Sequence, residues 1–183
     1  MKKILILFLI WCFSENALSQ AYITDDGSIK FISRAPLNEF DGNSSYLNGL
    51  IDLDKNLVDF YIDLNTIKTG ISLRDSHMRD SYLETNDYPY AEFTGTIENI
   101  EQINKQTLKR GLKVVAKGDF TIHGEKQQKE INGRLKLNDE GKLILEAKFK
   151  VALKDHNIEK PSLLGYELAD VQDVEIKAIL NEK

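Results

Sequence analysis

The strongest constraint on this chain is a two-residue alternation that returns about eight times, in which apolar residues alternate with polar ones and often include glycine or alanine. The clearest example is Leu143–Lys154, whose alternating apolar residues are Leu143, Leu145, Ala147, Phe149, Val151 and Leu153. Successive side chains of a strand point to opposite faces, so the pattern predicts half-buried strands. The expected fold is all-β with one short helix, an eight-stranded antiparallel β-barrel.

The alternation and the turn signals between the apolar runs give approximate bounds for each strand. Asp54-Lys55-Asn56 and Asn138-Asp139-Glu140-Gly141 are turn signals between neighbouring strands. The eight predicted strands are Ile29–Ser33, Leu47–Leu53, Val58–Leu64, Ala91–Ile97, Leu112–Ile122, Ile131–Leu137, Leu143–Lys154 and Asp173–Leu180.

One segment breaks the two-residue period and predicts a short helix over Leu73–Leu83, between the third and fourth strands. Ser72 and Asp75 have the spacing of a capping box, in which two side chains satisfy free backbone amides at a helix start. The helix is expected to end before Asn86 and Pro89. In this position it can cap one end of the barrel or cover the mouth of a cavity.

Residues 1–19 are predicted to be a secretory signal peptide. Lys2 and Lys3 form a basic start, Ile4–Phe13 is an unbroken apolar run, and Ala17-Leu18-Ser19 supplies the small residues of a cleavage site. The run has about half of the ~20 residues that a membrane-spanning helix needs, so no stable membrane anchor is expected. The prediction is export to the periplasm, with residues 20–183 as one domain.

Cleavage at this site would remove Cys12, the only cysteine of the chain. A lipoprotein acylated at Cys12 is the alternative, although Trp11 is too large for the small residue expected before such a cysteine. Without Cys12 the secreted domain has no disulfide, so its stability must come from a packed sheet. Loss of residues 1–19 changes the formal net charge from −5 to −6. That acidic balance argues against nucleic acid or an anionic membrane as a partner.

The apolar faces of most predicted strands carry a small residue, and two explanations are open. Glycines mark bends and bulges where a barrel turns corners, whereas small side chains also leave free volume inside it. With free volume, inward residues such as Phe60, Phe93, Phe120 and Phe149 would line an apolar pocket. The small inward residues are Gly49, Gly95, Ala116, Gly118, Gly133, Ala147 and Ala178.

Catalysis has little support in the sequence. The chain has no nucleophile elbow, no phosphate-binding loop and no dinucleotide fingerprint. His77, His123 and His156 do not have the spacing of metal ligands, so no metal, no cofactor and no catalytic residue is predicted. Arg74 and Arg79 could meet an anionic head group or form a solvated helix face.

Several segments resemble the YceI-like family of bacterial periplasmic, polyisoprenoid-binding proteins. Arg74–Phe93 resembles its arginine-aspartate-x-histidine signature followed by Tyr-Pro and phenylalanine, and Lys117–Gly124 resembles its Gly-x-Leu-Thr-Ile-His-Gly block. Phe60–Gly70, Phe149–Pro161 and Val171–Ile179 resemble further strands of the family. The resemblance implies a lipocalin-like barrel that holds an isoprenoid chain inside, with the polar head group near the mouth.

The resemblance places the helix residues Arg74, Asp75, His77 and Met78 beside the ligand entrance. The residues predicted to bind ligand are Phe60, Ile62, Arg74, His77, Met78, Phe93, Gly95, Phe120, Gly133 and Phe149. The chain departs from the family pattern at Glu125, at Gln127-Gln128 and in the loop Lys160–Tyr166. These departures concern the identity of the ligand more than the fold.

The loop Lys160–Tyr166 contains Leu163, Leu164 and Tyr166 where a connection should be polar. It could fold over the barrel mouth as a lid or pack as an apolar cluster on the outside of the barrel. The leading functional hypothesis is a non-catalytic carrier or sequestering protein for a long isoprenoid-type molecule, and a homodimer is left open. The alternatives are an envelope interaction scaffold with a filled barrel and an enzyme acting on a small apolar substrate.

Overall fold

The computed structural model describes residues 20–36, 38–159 and 168–183 of the chain. Within these residues eight antiparallel strands form a closed barrel, in which each strand pairs with the next and β1 pairs with β8. The strands are β1 (Ala21–Ala35), β2 (Asn38–Asp52), β3 (Leu57–Asp63), β4 (Tyr90–Ile97), β5 (Leu112–Ile122), β6 (Glu125–Leu137), β7 (Leu143–Ala152) and β8 (Val171–Glu182). The predicted fold class and the eight predicted strands are confirmed.

Strands β1 and β2 are both much longer than the alternation predicts. Each has 15 residues, and the register between them shifts on either side of Gly27. After a register shift, the residues that point into the barrel are displaced by one position. A fixed two-residue period therefore does not describe the whole strand. The first part of β2 carries few apolar residues, yet it pairs with β1 from Asn38 to Ser44 through its backbone.

The two ends of the barrel differ in what closes them. The closed end carries the β2–β3 and β6–β7 turns and the connection from β4 to β5. Its buried leucines include Leu135, Leu143 and Leu180, none of them more than 1% exposed. The helix end carries the other connections, including the helix that follows β3.

The predicted helix is present, but its start is built differently from the prediction. Helix α1 (Ser72–His77) continues into a π-helical turn, Met78–Tyr82. The predicted capping box is wrong, because Ile71 occupies the N-cap position and makes no side-chain cap hydrogen bond. Asp75 turns inward instead, and its Oδ1 accepts hydrogen bonds from Thr69 N at 2.8 Å and Thr69 Oγ1 at 2.6 Å.

A second short helix, α2 (Lys105–Arg110), lies between β4 and β5 and was not predicted. Asn104 caps it by accepting from the backbone amides of Gln106 and Thr107. Its six residues are too few for a helical period to stand out in the sequence. Leu108 of this helix is 2% exposed and belongs to the hydrophobic core, so the helix helps to seal the closed end.

Candidate functional site

The barrel encloses a cavity of about 280 Å³ that extends to the helix end. All eight strands contribute to its wall, which is almost wholly apolar. A single water needs only about 10–15 Å³ measured in this way, so the cavity could hold a molecule of many atoms. The alternative of a barrel filled with side chains therefore does not describe this part of the interior.

Nine of the ten residues predicted to bind ligand lie in the wall of this cavity. The prediction correctly placed the inward aromatics, and Phe120 and Phe149 meet edge to face with ring centroids 5.6 Å apart. The nine residues are Phe60, Ile62, Arg74, His77, Met78, Phe93, Phe120, Gly133 and Phe149. Their contact with a ligand stays a prediction.

Gly95 is the exception and its predicted role is corrected. It does not line the cavity, because it lies directly opposite Gly118 where β4 and β5 approach closely. A Cβ on Gly95 would lie 2.3 Å from the carbonyl oxygen of Lys117, and one on Gly118 would lie 2.2 Å from that of Thr94. The two glycines therefore allow a close approach of two backbones and provide no clearance for a ligand.

Another glycine makes room for an aromatic ring of the cavity wall. Gly49 lies opposite Phe60 in the β2–β3 register, and a Cβ on Gly49 would lie 2.0 Å from the Phe60 ring. Gly42 has the same relation to Phe31 across β1 and β2. Each ring covers a glycine backbone, so these small residues position aromatic groups rather than leave a gap.

The explanation that small residues leave free volume fits the middle of the barrel. Ala116, Gly133 and Ala147 line the cavity, and Gly133 lies directly opposite Ala147 in the β6–β7 register. Ala178 is buried but is not part of the wall, since its Cβ lies against Gly27. Only some of the seven small residues therefore contribute to the cavity.

Arg74 is a cation in the wall at the helix end. Its guanidinium lies over the ring of Phe40, 4.3 Å from the centroid. With the residues that the structure describes it makes no hydrogen bond and no ion pair, and its Nε is buried without a partner. Phe40 lies outside the predicted strands, so the sequence analysis did not find this contact.

His77 and Met78 follow Arg74 on the same helical segment and flank the mouth. Met78 is buried at 9% exposure and packs into the core, whereas His77 is exposed and also contributes to the wall. The segment thus presents one apolar and two polar side chains at the entrance. That this mouth is the ligand entrance, as the family resemblance implies, stays a prediction.

Gln172 is a polar residue of the wall that the sequence analysis missed. It is 6% exposed, and its Nε2 donates to the carbonyl oxygen of Ala169 at 2.7 Å. Its Oε1 is buried and has no partner among the described residues. The available signal was its position two residues before Val174, in phase with the inward residues of β8. The predicted strand began at Asp173 and so excluded it.

Asp75 anchors the start of α1 beside the cavity. Burial raises the pKa of its carboxyl, but the two hydrogen bonds from Thr69 and the charges of Lys68 and Arg79 lower it more, so the pKa lies below its ordinary value. The carboxylate is thus ionised at neutral pH and serves to hold the helix rather than to react.

The other two histidines belong to a structural cluster beside the barrel end. His123 Nδ1 lies 3.0 Å from the carbonyl oxygen of His156, and His123 Nε2 lies 2.8 Å from Glu84 Oε2. His156 is fully buried against Phe120, and its Nδ1 lies 3.0 Å from the carbonyl oxygen of Glu125. Burial lowers the pKa of His156 below its ordinary value, so the ring is neutral at pH 7.

The described part of the chain holds neither a cluster of metal ligands nor a membrane-spanning helix. In residues 20–36, 38–159 and 168–183, no group of three or more His, Cys, Asp or Glu side chains is placed to hold a metal ion. The helices in these ranges are all too short or too polar to cross a membrane. The predicted signal peptide, residues 1–19, and the loop Lys160–Tyr166 lie outside the described residues.

The fold and the site together define a small antiparallel β-barrel with an internal apolar cavity that is bordered by a short helix. The sequence matches the YceI-like domain over residues 23–180, and the chain belongs to this family. Comparison with curated protein sequences finds no match.

Several solved structures share this fold. A polyisoprenoid binding domain from Saccharophagus degradans has a TM-score of 0.75 at 16% identity, covering 90% of this chain and 99% of its own. BcnA from Burkholderia cenocepacia has a TM-score of 0.65 at 11% identity, covering 85% and 96%. A YceI protein from Campylobacter jejuni has a TM-score of 0.61 at 20% identity, covering 82% and 87%.

Proposed function

We propose that this protein binds and carries a long apolar molecule of the isoprenoid type, such as a polyprenyl or quinone tail, inside its barrel. The observation that carries the proposal is the apolar cavity of about 280 Å³ in the barrel interior. An apolar cavity of this kind stays dry and gains free energy by taking up an apolar guest. The family assignment and the description of the Saccharophagus degradans neighbour as polyisoprenoid binding support the same class of ligand.

The shape of the barrel supports a long and narrow guest. Strand β7 has ten residues, which correspond to about 33 Å of extended chain. Apolar area removed from water contributes about 25 cal/mol per Å², so a tail that lies along the wall needs no other source of affinity.

The proposed role is non-catalytic and belongs to the bacterial envelope. Asp75, a buried acid next to the cavity, is committed to hydrogen bonds from Thr69. His123 and His156 contact backbone oxygens of neighbouring segments and do not line the cavity. The envelope location rests on the signal peptide expected in residues 1–19.

The test is to express the full chain in a Gram-negative host, purify it without detergent, and analyse it by native mass spectrometry and lipid extraction. We expect a mass increment from a co-purified lipid with a long apolar tail. Ala147→Phe places a large side chain in the cavity and should abolish the increment. Ile144→Phe, on the outward face of the same strand, is the matched control and should retain it.

The proposal fails if the wild-type protein is consistently free of lipid and binds no added isoprenoid. It also fails if Ala147→Phe and Ile144→Phe carry equal amounts of lipid. Circular dichroism and the melting temperature of each variant show whether the barrel is intact.

A further inference from the structure

We propose that the helix end of the barrel docks on the surface of a zwitterionic phospholipid bilayer, and that an apolar guest passes between the bilayer and the cavity there. The part that enters the lipid is Lys68–Arg74, called the docking segment, with Ile71 and Leu73 as its inserted side chains. The inference rests on the proposed function and adds the surface on which such a carrier exchanges its guest.

The exposed large hydrophobic side chains of the described residues are distributed unequally between the two ends of the barrel. Two are near the closed end, where Ile23 pairs with Leu50 close to the β2–β3 turn and Ile179 pairs with Ile144 close to the β6–β7 turn. Concentrated exposed apolar groups mark sites of interaction with a protein or a membrane. Seven lie at the helix end or towards the middle of the barrel: Tyr46, Tyr61, Ile71, Leu73, Tyr88, Tyr90 and Val171.

The docking segment carries two aliphatic residues of this group and projects from the barrel. Ile71 is 51% exposed and Leu73 is 62% exposed. Gly70, directly before Ile71, has a φ of +80°, and a Cβ placed on it would meet no atom within 4 Å. The segment therefore holds apolar side chains in water, which is unfavourable unless another apolar medium covers them.

The base of the docking segment is fixed by hydrogen bonds. Lys68 and Asn43 exchange two backbone hydrogen bonds of 2.9 Å each. The carboxylate of Asp75 accepts from the amide and the hydroxyl of Thr69. Because the segment is already ordered, little conformational entropy is lost when its side chains enter a partner phase.

The two exposed aliphatic residues are continuous with the interior of the barrel. Ile71 and Leu73 both contribute to the wall of the cavity as well as to the outer surface. If they lie in a bilayer, a guest that leaves at this end passes from one apolar medium to another. A guest released into water would instead expose its tail, at a cost proportional to the exposed area.

The side chains around the docking segment have the chemistry of a membrane interface. Lys68 is exposed and carries no acidic neighbour up to Arg74, so its ammonium can meet lipid phosphate oxygens. Tyr46 is three residues from Asn43 along β2, or about 10 Å behind Lys68. Tyrosine rings are enriched at the level of lipid head groups, and interfacial elements enter to a depth of about 5–10 Å.

The size of the exposed tip favours a bilayer over a second copy of the chain or another protein. Ile71 and Leu73 together offer on the order of 200 Å² of apolar surface, whereas a stable protein interface buries about 800 Å² on each partner. Side chains that enter lipid need no complementary surface. The formal net charge of −5 disfavours a strongly anionic membrane, so the expected surface is zwitterionic.

The test measures flotation of purified, delipidated protein with vesicles of phosphatidylcholine and phosphatidylethanolamine. Ile71→Ser/Leu73→Ser should weaken vesicle binding at least about tenfold, because two aliphatic side chains no longer enter the lipid. Residue 71 is the N-cap of α1, a position that favours serine, so the helix should be retained. Leu73→Gln serves if the double variant does not fold, and it should lose part of the binding.

The matched control is Ile23→Ser/Ile179→Ser, which removes two exposed aliphatic side chains from the closed end. It should bind the vesicles within about twofold of wild type. Transfer of fluorescently labelled farnesol from vesicles to the protein should be slowed at least about tenfold in Ile71→Ser/Leu73→Ser only. The affinity of that variant for farnesol added without vesicles should stay within about twofold, since most of the cavity wall is unchanged.

Wild-type protein that does not float with these vesicles would overturn the inference, and the exposed residues would then belong to a protein interface. Equal binding by the two double variants would overturn it as well. If farnesol binds in solution while vesicles do not, the proposed function stands and the docking alone fails. Vesicle binding without any farnesol binding would overturn the proposed function and, with it, the exchange of a guest.

Discussion

The two ends of the barrel are built from the same alternating strands and yet have opposite interiors. At the closed end leucines such as Leu143 and Leu180 are fully buried and meet across β7 and β8. In the middle and at the helix end, Gly133 and Ala147 face each other and leave space that extends to Arg74 and His77. The closed end therefore stabilises the fold, and the middle and the helix end provide the volume for a guest.

The largest expected effect comes from truncating a leucine of the closed end. Leu180→Ala removes a side chain that is 0% exposed and should lower the free energy of unfolding by about 3–5 kcal/mol. Phe149→Ala removes a half-buried ring from the cavity wall and should lower it by only about 1–2 kcal/mol. Urea denaturation of both variants measures the difference. Equal losses would contradict the division between a stabilising and a hollow end.

The next effect distinguishes the two kinds of glycine. Gly95→Ala places a Cβ 2.3 Å from a backbone oxygen of β5, so it should cost about 2–3 kcal/mol of unfolding free energy. Gly133→Ala meets its nearest neighbours at 3.2–3.7 Å in the cavity wall and should change stability by less than about 1 kcal/mol. Thermal and urea unfolding test this pair. If Gly95→Ala leaves the free energy of unfolding unchanged, Gly95 provides space inside the barrel and is not required for the close approach of β4 and β5.

A smaller effect concerns the anchor of α1 at the helix end. Asp75→Asn removes the charge that accepts two hydrogen bonds from Thr69, and we expect a loss of about 1 kcal/mol at pH 7. Because the pKa of Asp75 is lowered on folding, its stabilisation is present above the unfolded value of 3.8 and is lost as the pH falls through the folded pKa.

Urea unfolding of wild type and Asp75→Asn at pH 7 and at pH 3 tests this anchor. The difference between the two proteins should shrink at the lower pH. If the difference in unfolding free energy is the same at pH 7 and at pH 3, Asp75 acts through packing alone. Amide exchange over Ser72–His77 reports whether the loss is confined to the helix or spreads through the barrel.

The smallest expected effect is the titration of His156, which lies outside the cavity. Its pKa is lowered on folding by burial, while Glu125 and Asp155 oppose the shift and Lys129 adds to it. The unfolded chain therefore binds a proton near pH 6.5 while the folded protein does not, so stability should decline as the pH falls from 6.5 towards the folded pKa. NMR titration of the imidazole signals checks the direction, and a pKa above 6.5 would contradict it.

The sequence was most informative where one period ran unbroken along a strand. The bounds of β5 were predicted without error, and β3 and β4 within one residue at either end. The bounds of β1 and β2 were not predicted, because the register shift near Gly27 interrupts the alternation. Helix α1 was visible as a break in the period, whereas its anchor from Thr69 to Asp75 depends on how the chain turns at Gly70, whose φ is +80°.

Alternation by itself determined which strand residues face inward, and so it predicted the barrel and the six strand residues of the predicted site that lie in the cavity wall. Arg74, His77 and Met78 came from the family resemblance. Only the tertiary structure decided what each small residue does, because that depends on the atom across the strand pair. Gly49 faces a ring, Gly95 faces a backbone, and Gly133 lies in the cavity wall, where a Cβ would be 3.2–3.7 Å from its nearest neighbours. The stacking of Arg74 on Phe40 likewise joins residues far apart in the chain, so no local pattern could predict it.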